Sequence, residues 1–274
     1  MGIILGIDVG GSTTKIVGLN TNGTLISTMM VRAYDQITSL YGALGHYIAS
    51  NRFSLGDVEK IFVTGVGSSY LNGDIYGIPT QRIDEFSAIA RGGLALAGVD
   101  EAIVVSMGTG TAFVRADTYG YSHIGGSGVG GGLLLGLGKK LCNASDFESL
   151  CSIASHGDLR NVDLTVGDIS KSDIEKLSSD MTAANLANIR DGATDSDLAL
   201  GLINMVLQTI LTLATFACRD SGSNTVILTG SLTELEWLSP TVDAFSGFSP
   251  VHFIIPRDAA FATAVGAALH ALEK

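Results

Sequence analysis

Apolar runs along the chain alternate with glycine-centred breaks, and their lengths sort into strands first and helices after. Residues 3–7 form a short apolar run, 14–19 resume it after a glycine turn, and 24–31 follow Asn22-Gly23. Asn-Gly between two runs of alternating polarity predicts a hairpin. Helical spacing covers 36–50, a compact strand is expected at 60–64, and helical character returns over 84–96. The pattern then restarts. Residues 101–106 form an apolar strand, Met107-Gly108-Thr109-Gly110 turns into a strand at 111–115, and Thr118-Tyr119-Gly120 precedes a third strand at 121–124. Helices are expected near 131–140 and 146–155, followed by a long helix-rich insertion. Strands at 225–229 and 251–255 and a helix at 259–272 close the chain. Strand, glycine turn, strand, turn, strand thus occurs twice, near 3–31 and 101–124, as in an internal duplication. No proline-rich or charged linker separates the halves. Two packed lobes, 1–98 and 99–274, with a cleft between them are expected.

Composition narrows the function. Glycine supplies 35 of 274 residues, well above the usual share of about 7%, in clusters where backbone must turn tightly or approach a ligand. A formal net charge of −11 repels a polyphosphate backbone and argues against nucleic acid as a partner. It leaves room for a nucleotide, whose charge Mg²⁺ and backbone amides can offset. Cys142, Cys151 and Cys218 are odd in number and fit no metal or disulfide spacing, so reduced thiols in the cytoplasm are expected. The first residues, with Asp8 inside the apolar run, read as a strand and not as an export signal. The uncharged stretch 198–218 is long enough to span a bilayer. Asn204 and Gln208 share one face of it and its flanks lack a basic bias, which favours a buried or dimer-interface helix over a membrane span.

The chemistry concentrates in four glycine turns. Asp8-Val9-Gly10-Gly11-Ser12-Thr13-Thr14-Lys15 ends a strand in an acid, bends through two glycines and runs hydroxyls and a lysine into the next strand. Such a bend turns amides toward phosphate oxygens, with Asp8 placed for Mg²⁺ and Lys15 for γ-phosphate charge. An ordinary hairpin with a surface acid and lysine reads the same way in isolation. Met107-Gly108-Thr109-Gly110-Thr111 repeats the device about a hundred residues on, so the pair can grip one polyphosphate from both sides. Neither a Walker sequence nor a GxGxxG opening a helix is present. Leu228-Thr229-Gly230-Ser231 offers a small-residue turn for a flat ring. The glycine-rich run 125–132 leads into a helix, whose bare amides would favour an anion.

In this order, these residues resemble the acetate/sugar kinase, Hsp70 and actin superfamily: phosphate-1 at 8–15, phosphate-2 at 107–111, adenosine at 228–231. GIDVGGSTTKIV, the acidic pair at 84–85 before Phe86, GTGTA, GGSGVGGGLLLGLG, the segment 154–169 and the segment 181–189 resemble the type II pantothenate kinases, over nearly the whole chain.

That resemblance implies an α/β fold of two ribonuclease-H-like lobes around an ATP cleft, phosphorylation of pantothenate in coenzyme A synthesis, and a homodimer through the long helix. It also implies ATP contacts from Gly10, Gly11, Ser12, Thr13, Thr14, Thr109, Gly110 and Thr111. Further ATP contacts are expected from Gly131, Gly132, Leu133, Leu134, Leu135, Phe147, Gly230 and Ser231, with acyl-CoA as a feedback ligand in the same pocket. Glu85 matches the family's general base, although Asp84 and Glu85 also suit the positive end of a helix. Thr109, Ala112 and His123 fall at acceptor-binding positions, but the family usually has serine where Ala112 stands and arginine where His123 stands. Two alternatives remain: a kinase of the same fold for another hydroxyl substrate such as an N-acetylhexosamine, and a non-kinase ATPase or activator. The Asn-Asp base motif of such sugar kinases is not found.

Overall fold

The computed structural model describes residues 2–170, 179–247 and 249–272. The chain opens with β1 (Ile3–Val9), β2 (Thr13–Asn20) and β3 (Leu25–Arg32), then α1 (Gln36–Ser50), β4 (Val58–Thr64), β5 (Thr80–Arg82) and α2 (Glu85–Ala97). These strands make one sheet in the order β3-β2-β1-β4-β5. β1 is buried at every position, as a central strand covered on both faces must be.

The second half repeats the path with β6 (Glu101–Met107), β7 (Thr111–Asp117) and β8 (Gly120–Ser127), then α3 (Gly131–Leu141) and α4 (Phe147–Ala154). An excursion follows, holding β9 (Leu164–Thr165), α5 (Val166–Ile169) and β10 (Thr182–Ala184). The chain then runs through α6 (Asp195–Ser221), β11 (Thr225–Thr229), α7 (Leu238–Ser246), β12 (His252–Ile254) and α8 (Ala262–Leu269). The second sheet has the order β12-β11-β6-β7-β8, the same path as the first: two antiparallel pairings, then two parallel ones. The duplication read from the glycine turns is therefore a duplication of topology.

α6 is the one described helix long and apolar enough to cross a membrane, and 61% of its apolar window is buried inside the protein. Its apolar faces fill the second lobe's core with Leu134, Leu150 and Val226. The excursion is pinned to it by Asp163, which is fully buried. Asp163 accepts hydrogen bonds from Leu186 N, Thr182 Oγ1 and Asn204 Nδ2, each at 2.8 Å. Asn204 and Gln208, the polar face noted in the sequence, serve this seam, with Asn185 donating to Gln208 at 3.2 Å.

Spatial order departs from chain order at one element. α8 lies on the first sheet, where Ala264 and Ala268 pack with Ile4, Val17 and Phe62. It also crosses α2 almost backbone to backbone. A Cβ on Gly92 would stand 1.8 Å from Ala262 O, and one on Gly266 would stand 1.9 Å from Ala88 O. α2 in turn packs Ile89 and Ala90 on the second sheet, beside Val104 and Val114. The α2–α8 pair thus sits between the sheets, so α8, which follows the second sheet in the chain, packs on the first.

The expected closing helix 259–272 is also shorter. Asp258 has φ 59°, and single 3₁₀ turns flank α8 at Ala259–Phe261 and His270–Leu272.

Candidate active site

The cleft between the lobes has a volume of about 1280 Å³, larger than a typical small-ligand pocket of about 300–1,000 Å³. Both glycine hairpins project into it. Gly10 N donates to Thr13 O at 3.0 Å across a four-residue bend, and Gly108 N to Gly110 O at 2.9 Å across a three-residue one, so the second bend is the tighter. Their tips meet: Ser12 Oγ and Thr109 Oγ1 are 3.0 Å apart and hydrogen-bonded across the cleft.

Beneath the first hairpin, Asp8 and Lys15 stand opposite each other in the β1–β2 register. They are only 9% and 5% exposed. Burial raises the Asp8 carboxyl above its usual range, while the Lys15 charge pulls it back. The matching register pair in the second lobe is Ser106 with Ala112, so only the first lobe carries charge at this level. A second matched feature ends the parallel strands. Thr64-Gly65 and Thr229-Gly230 close β4 and β11, with glycine φ values of 85° and 90°. A Cβ at Gly65 would meet Asp8 Oδ1 at 2.5 Å, and one at Gly230 would meet Met107 O at 2.6 Å. Only glycine fits at either place.

The two acids at 84–85 divide their labour. Asp84 caps α2, accepting from Ser87 N at 2.9 Å. Glu85, the first helical residue, lines the cleft. Burial raises its carboxyl first, the Asp8 and Asp84 charges raise it further, and Lys15 opposes them. A carboxylate whose proton affinity is raised above the ordinary range is suited to general-base work.

Most expected contacts line this cleft: Asp8, Gly10, Gly11, Ser12, Thr13, Lys15, Glu85, Thr109, Gly110, Thr111, Ala112, Gly131, Gly132, Leu135, Phe147, Gly230 and Ser231. Thr14, Leu133, Leu134 and His123 lie outside that lining. Thr14 alternates to the fully buried side of β2, and its hydroxyl has no partner there. Leu134 is fully buried in the second core and Leu133 packs against that core. His123 is exposed and stacks on Phe86, with ring centroids 4.0 Å apart, so it does not line the cleft. The amides opening α3 are not bare either. Gly131 N donates to Gly108 O and Gly132 N to Thr109 O, both at 2.8 Å. The triple glycine lets α3 brace the second hairpin, since a Cβ on Gly130 would meet Thr109 O at 2.8 Å. Thr111 acts in the same brace, donating its hydroxyl to Val129 O at 2.8 Å.

Several lining residues escaped the sequence reading, among them Val66, Arg32, Lys139 and Thr263. Val66 carried a usable signal, because it follows Thr64-Gly65 as Ser231 follows Thr229-Gly230. Arg32 reaches Asp146 at 3.5 Å, linking the lobes at the rim. Among the described residues no group of three His, Cys, Asp or Glu is placed to hold a metal. One buried carboxylate fits Mg²⁺, which commonly pairs one or two carboxylates with substrate phosphates.

The comparisons with known proteins agree with this geometry. The type II pantothenate kinase of Staphylococcus aureus strain USA300 is 30% identical over 236 residues, covering 83% of this chain and 84% of that protein. Among solved structures, the activator of the 2-hydroxyisocaproyl-CoA dehydratase from Clostridium difficile with bound ADPNP aligns with a TM-score of 0.70. That match has 17% identity and covers 98% and 94% of the two chains. A ROK family glucokinase from Streptomyces griseus, in complex with glucose and AMPPNP, aligns at 0.58 with 14% identity over 97% and 98%. These likenesses establish a two-lobed α/β fold of the actin and hexokinase type. Residues 101–270 match the family described as Fumble, and with the S. aureus relative this shows that the chain belongs to the type II pantothenate kinase family.

Proposed function

We propose that the protein transfers the γ-phosphoryl group of ATP to the primary hydroxyl of pantothenate, giving 4′-phosphopantothenate for coenzyme A synthesis. The observation that carries this reading is the meeting of the two hairpins at Ser12 and Thr109 above a cleft that also holds Asp8, Lys15 and Glu85. Amides and hydroxyls of both hairpins bind the phosphates, and Lys15 offsets charge on the transferred group. Asp8 would hold Mg²⁺, which would neutralise phosphate charge. Gly230 and Ser231 admit the adenosine at the second-lobe end. Glu85 takes the proton from the acceptor hydroxyl as that oxygen attacks phosphorus.

Val66, 64% exposed, and Ala112 line the cleft, and their methyl groups suit the dimethyl-substituted carbon beside pantothenate's hydroxyl. An iron–sulfur activator is disfavoured because Cys142 and Cys218 are buried.

Purified protein supplied with MgATP should release ADP with pantothenate and not with N-acetylhexosamines, and Glu85→Gln should abolish that release. Full turnover by the glutamine variant would remove the base assignment, and faster turnover with a sugar would remove the acceptor. We place a homodimer on the outer stripe of α6 around Met205, Leu213 and the half-exposed Phe216; a monomer by light scattering would reject it. Feedback by acyl-CoA in the same cleft predicts inhibition by acetyl-CoA, and unchanged activity at saturation would reject that.

A further inference from the structure

The first turn of α2 carries Glu85 into the cleft, yet the two residues beside Glu85 are both gripped from the other lobe. Tyr121 donates its hydroxyl to Asp84 Oδ1 at 2.8 Å. His123 lies flat on Phe86, with ring centroids 4.0 Å apart and planes inclined by 16°. Both grips come from β8, two residues apart on one face. That face is set by an irregularity. Phe113 pairs with Gly125, but Val114 pairs with His123, so Ile124 is an extra residue and β8 changes parity there. Without the bulge, Ile124 and Ser122 would stand opposite Val114 and Ala116, and Tyr121 and His123 would face away from α2. Val114 and Ala116 belong to the fully buried cluster under Ile89 of α2, so this is the face toward the helix. The grip continues inward, since Ser87 Oγ lies 3.2 Å from His270 Nε2 at the end of the chain.

We infer that Tyr121 and His123 are positioning residues: turned toward α2 by the Ile124 bulge, they hold Asp84 and Phe86 and so fix the Glu85 carboxylate against the acceptor hydroxyl. The inference rests on the kinase reading above and on Glu85 as its base. Around Glu85 the charged or titratable groups are Asp8 and Lys15 from the first sheet, Asp84 on its own segment, and Tyr121 and His123 from β8. None of the β8 groups needs to touch a substrate. A misplacement of about 1 Å in a reacting group costs about a hundredfold in rate, so two contacts remote from the phosphates can govern turnover.

The experiment measures steady-state kinetics with MgATP and pantothenate for Tyr121→Phe, His123→Ala, His123→Phe and Glu85→Gln, with ADP affinity by calorimetry as the folding control. Tyr121→Phe and His123→Ala should lower kcat about tenfold or more, leaving the KM for ATP and the ADP affinity unchanged. His123→Phe keeps a flat ring on Phe86 and should restore most of the kcat lost in His123→Ala. Wild-type kcat in both Tyr121→Phe and His123→Ala would overturn the inference. It would also fall if His123→Phe were as impaired as His123→Ala, with a raised KM for pantothenate, because His123 would then be binding the acceptor directly. Failure of the base assignment reads differently. It appears as full turnover of Glu85→Gln, a variant that leaves both β8 contacts intact.

Discussion

At the scale of single residues, the cleft gathers charge where water is scarce, and Glu85 bears the consequence. Burial and two neighbouring acids raise its carboxyl, against a reference near 4.3 for a free glutamate. A base must be ionised to work, so kcat/KM for the acceptor should fall as pH drops through this raised value, with an acid limb above the ordinary carboxylate range. Glu85→Gln should remove that limb together with the activity. The same shift has a thermodynamic sign. The folded state holds the Glu85 proton more tightly than the unfolded chain, so the ionised form costs stability that is absent below the unfolded value. That cost grows as pH rises through the folded one. Glu85→Gln should therefore melt higher than wild type at pH 7 to 8 and no higher at acid pH, a difference that calorimetric melting would read. Equal melting at both pH values would contradict the assigned cause of the shift.

At the scale of elements, Asp163 gathers three of the hydrogen bonds that hold the excursion between α4 and α6. Asp163→Ala would leave Leu186 N, Thr182 Oγ1 and Asn204 Nδ2 without their shared acceptor. Buried donors left unpaired cost about 1–3 kcal/mol each, so a loss on the order of 3 kcal/mol is expected, measured by urea unfolding. A loss below about 1 kcal/mol would mean the seam closes without Asp163. Elements with strong periodicity were legible beforehand. α1 was expected at 36–50 and observed at Gln36–Ser50, and the strand at 225–229 was observed at Thr225–Thr229. β5 has three residues, two of them exposed, and α7 lacks a side-chain cap, so neither wrote a local signal. The site shows the same division. Glycine turns and the Asp8–Lys15 pair could be read from spacing, whereas Thr263 enters the cleft only because α8 crosses to the other lobe. The amides opening α3 looked free in the sequence because their acceptors, Gly108 O and Thr109 O, lie over twenty residues away.

At the scale of the whole molecule, α2 and α8 join the lobes through a crossing that admits no side chain. Gly92→Ala would drive a methyl group into Ala262 O, destabilising the protein by about 3 kcal/mol. Because both sheets lean on this pair, it should also weaken ADP binding, which titration calorimetry would measure. Wild-type stability and affinity would show that the helices can part without consequence. The halves retrace one path but differ in charge, with Asp8 facing Lys15 in the first and Ser106 facing Ala112 in the second. A nucleotide is itself lopsided, with a highly charged head and an uncharged tail. Two equivalent halves would offer it two opposite ways to lie, one of them unproductive. By keeping opposite charges on one side alone, the chain gives a near-symmetric cradle a single direction, and on the proposed reading a nucleotide would lie with its phosphates toward Glu85.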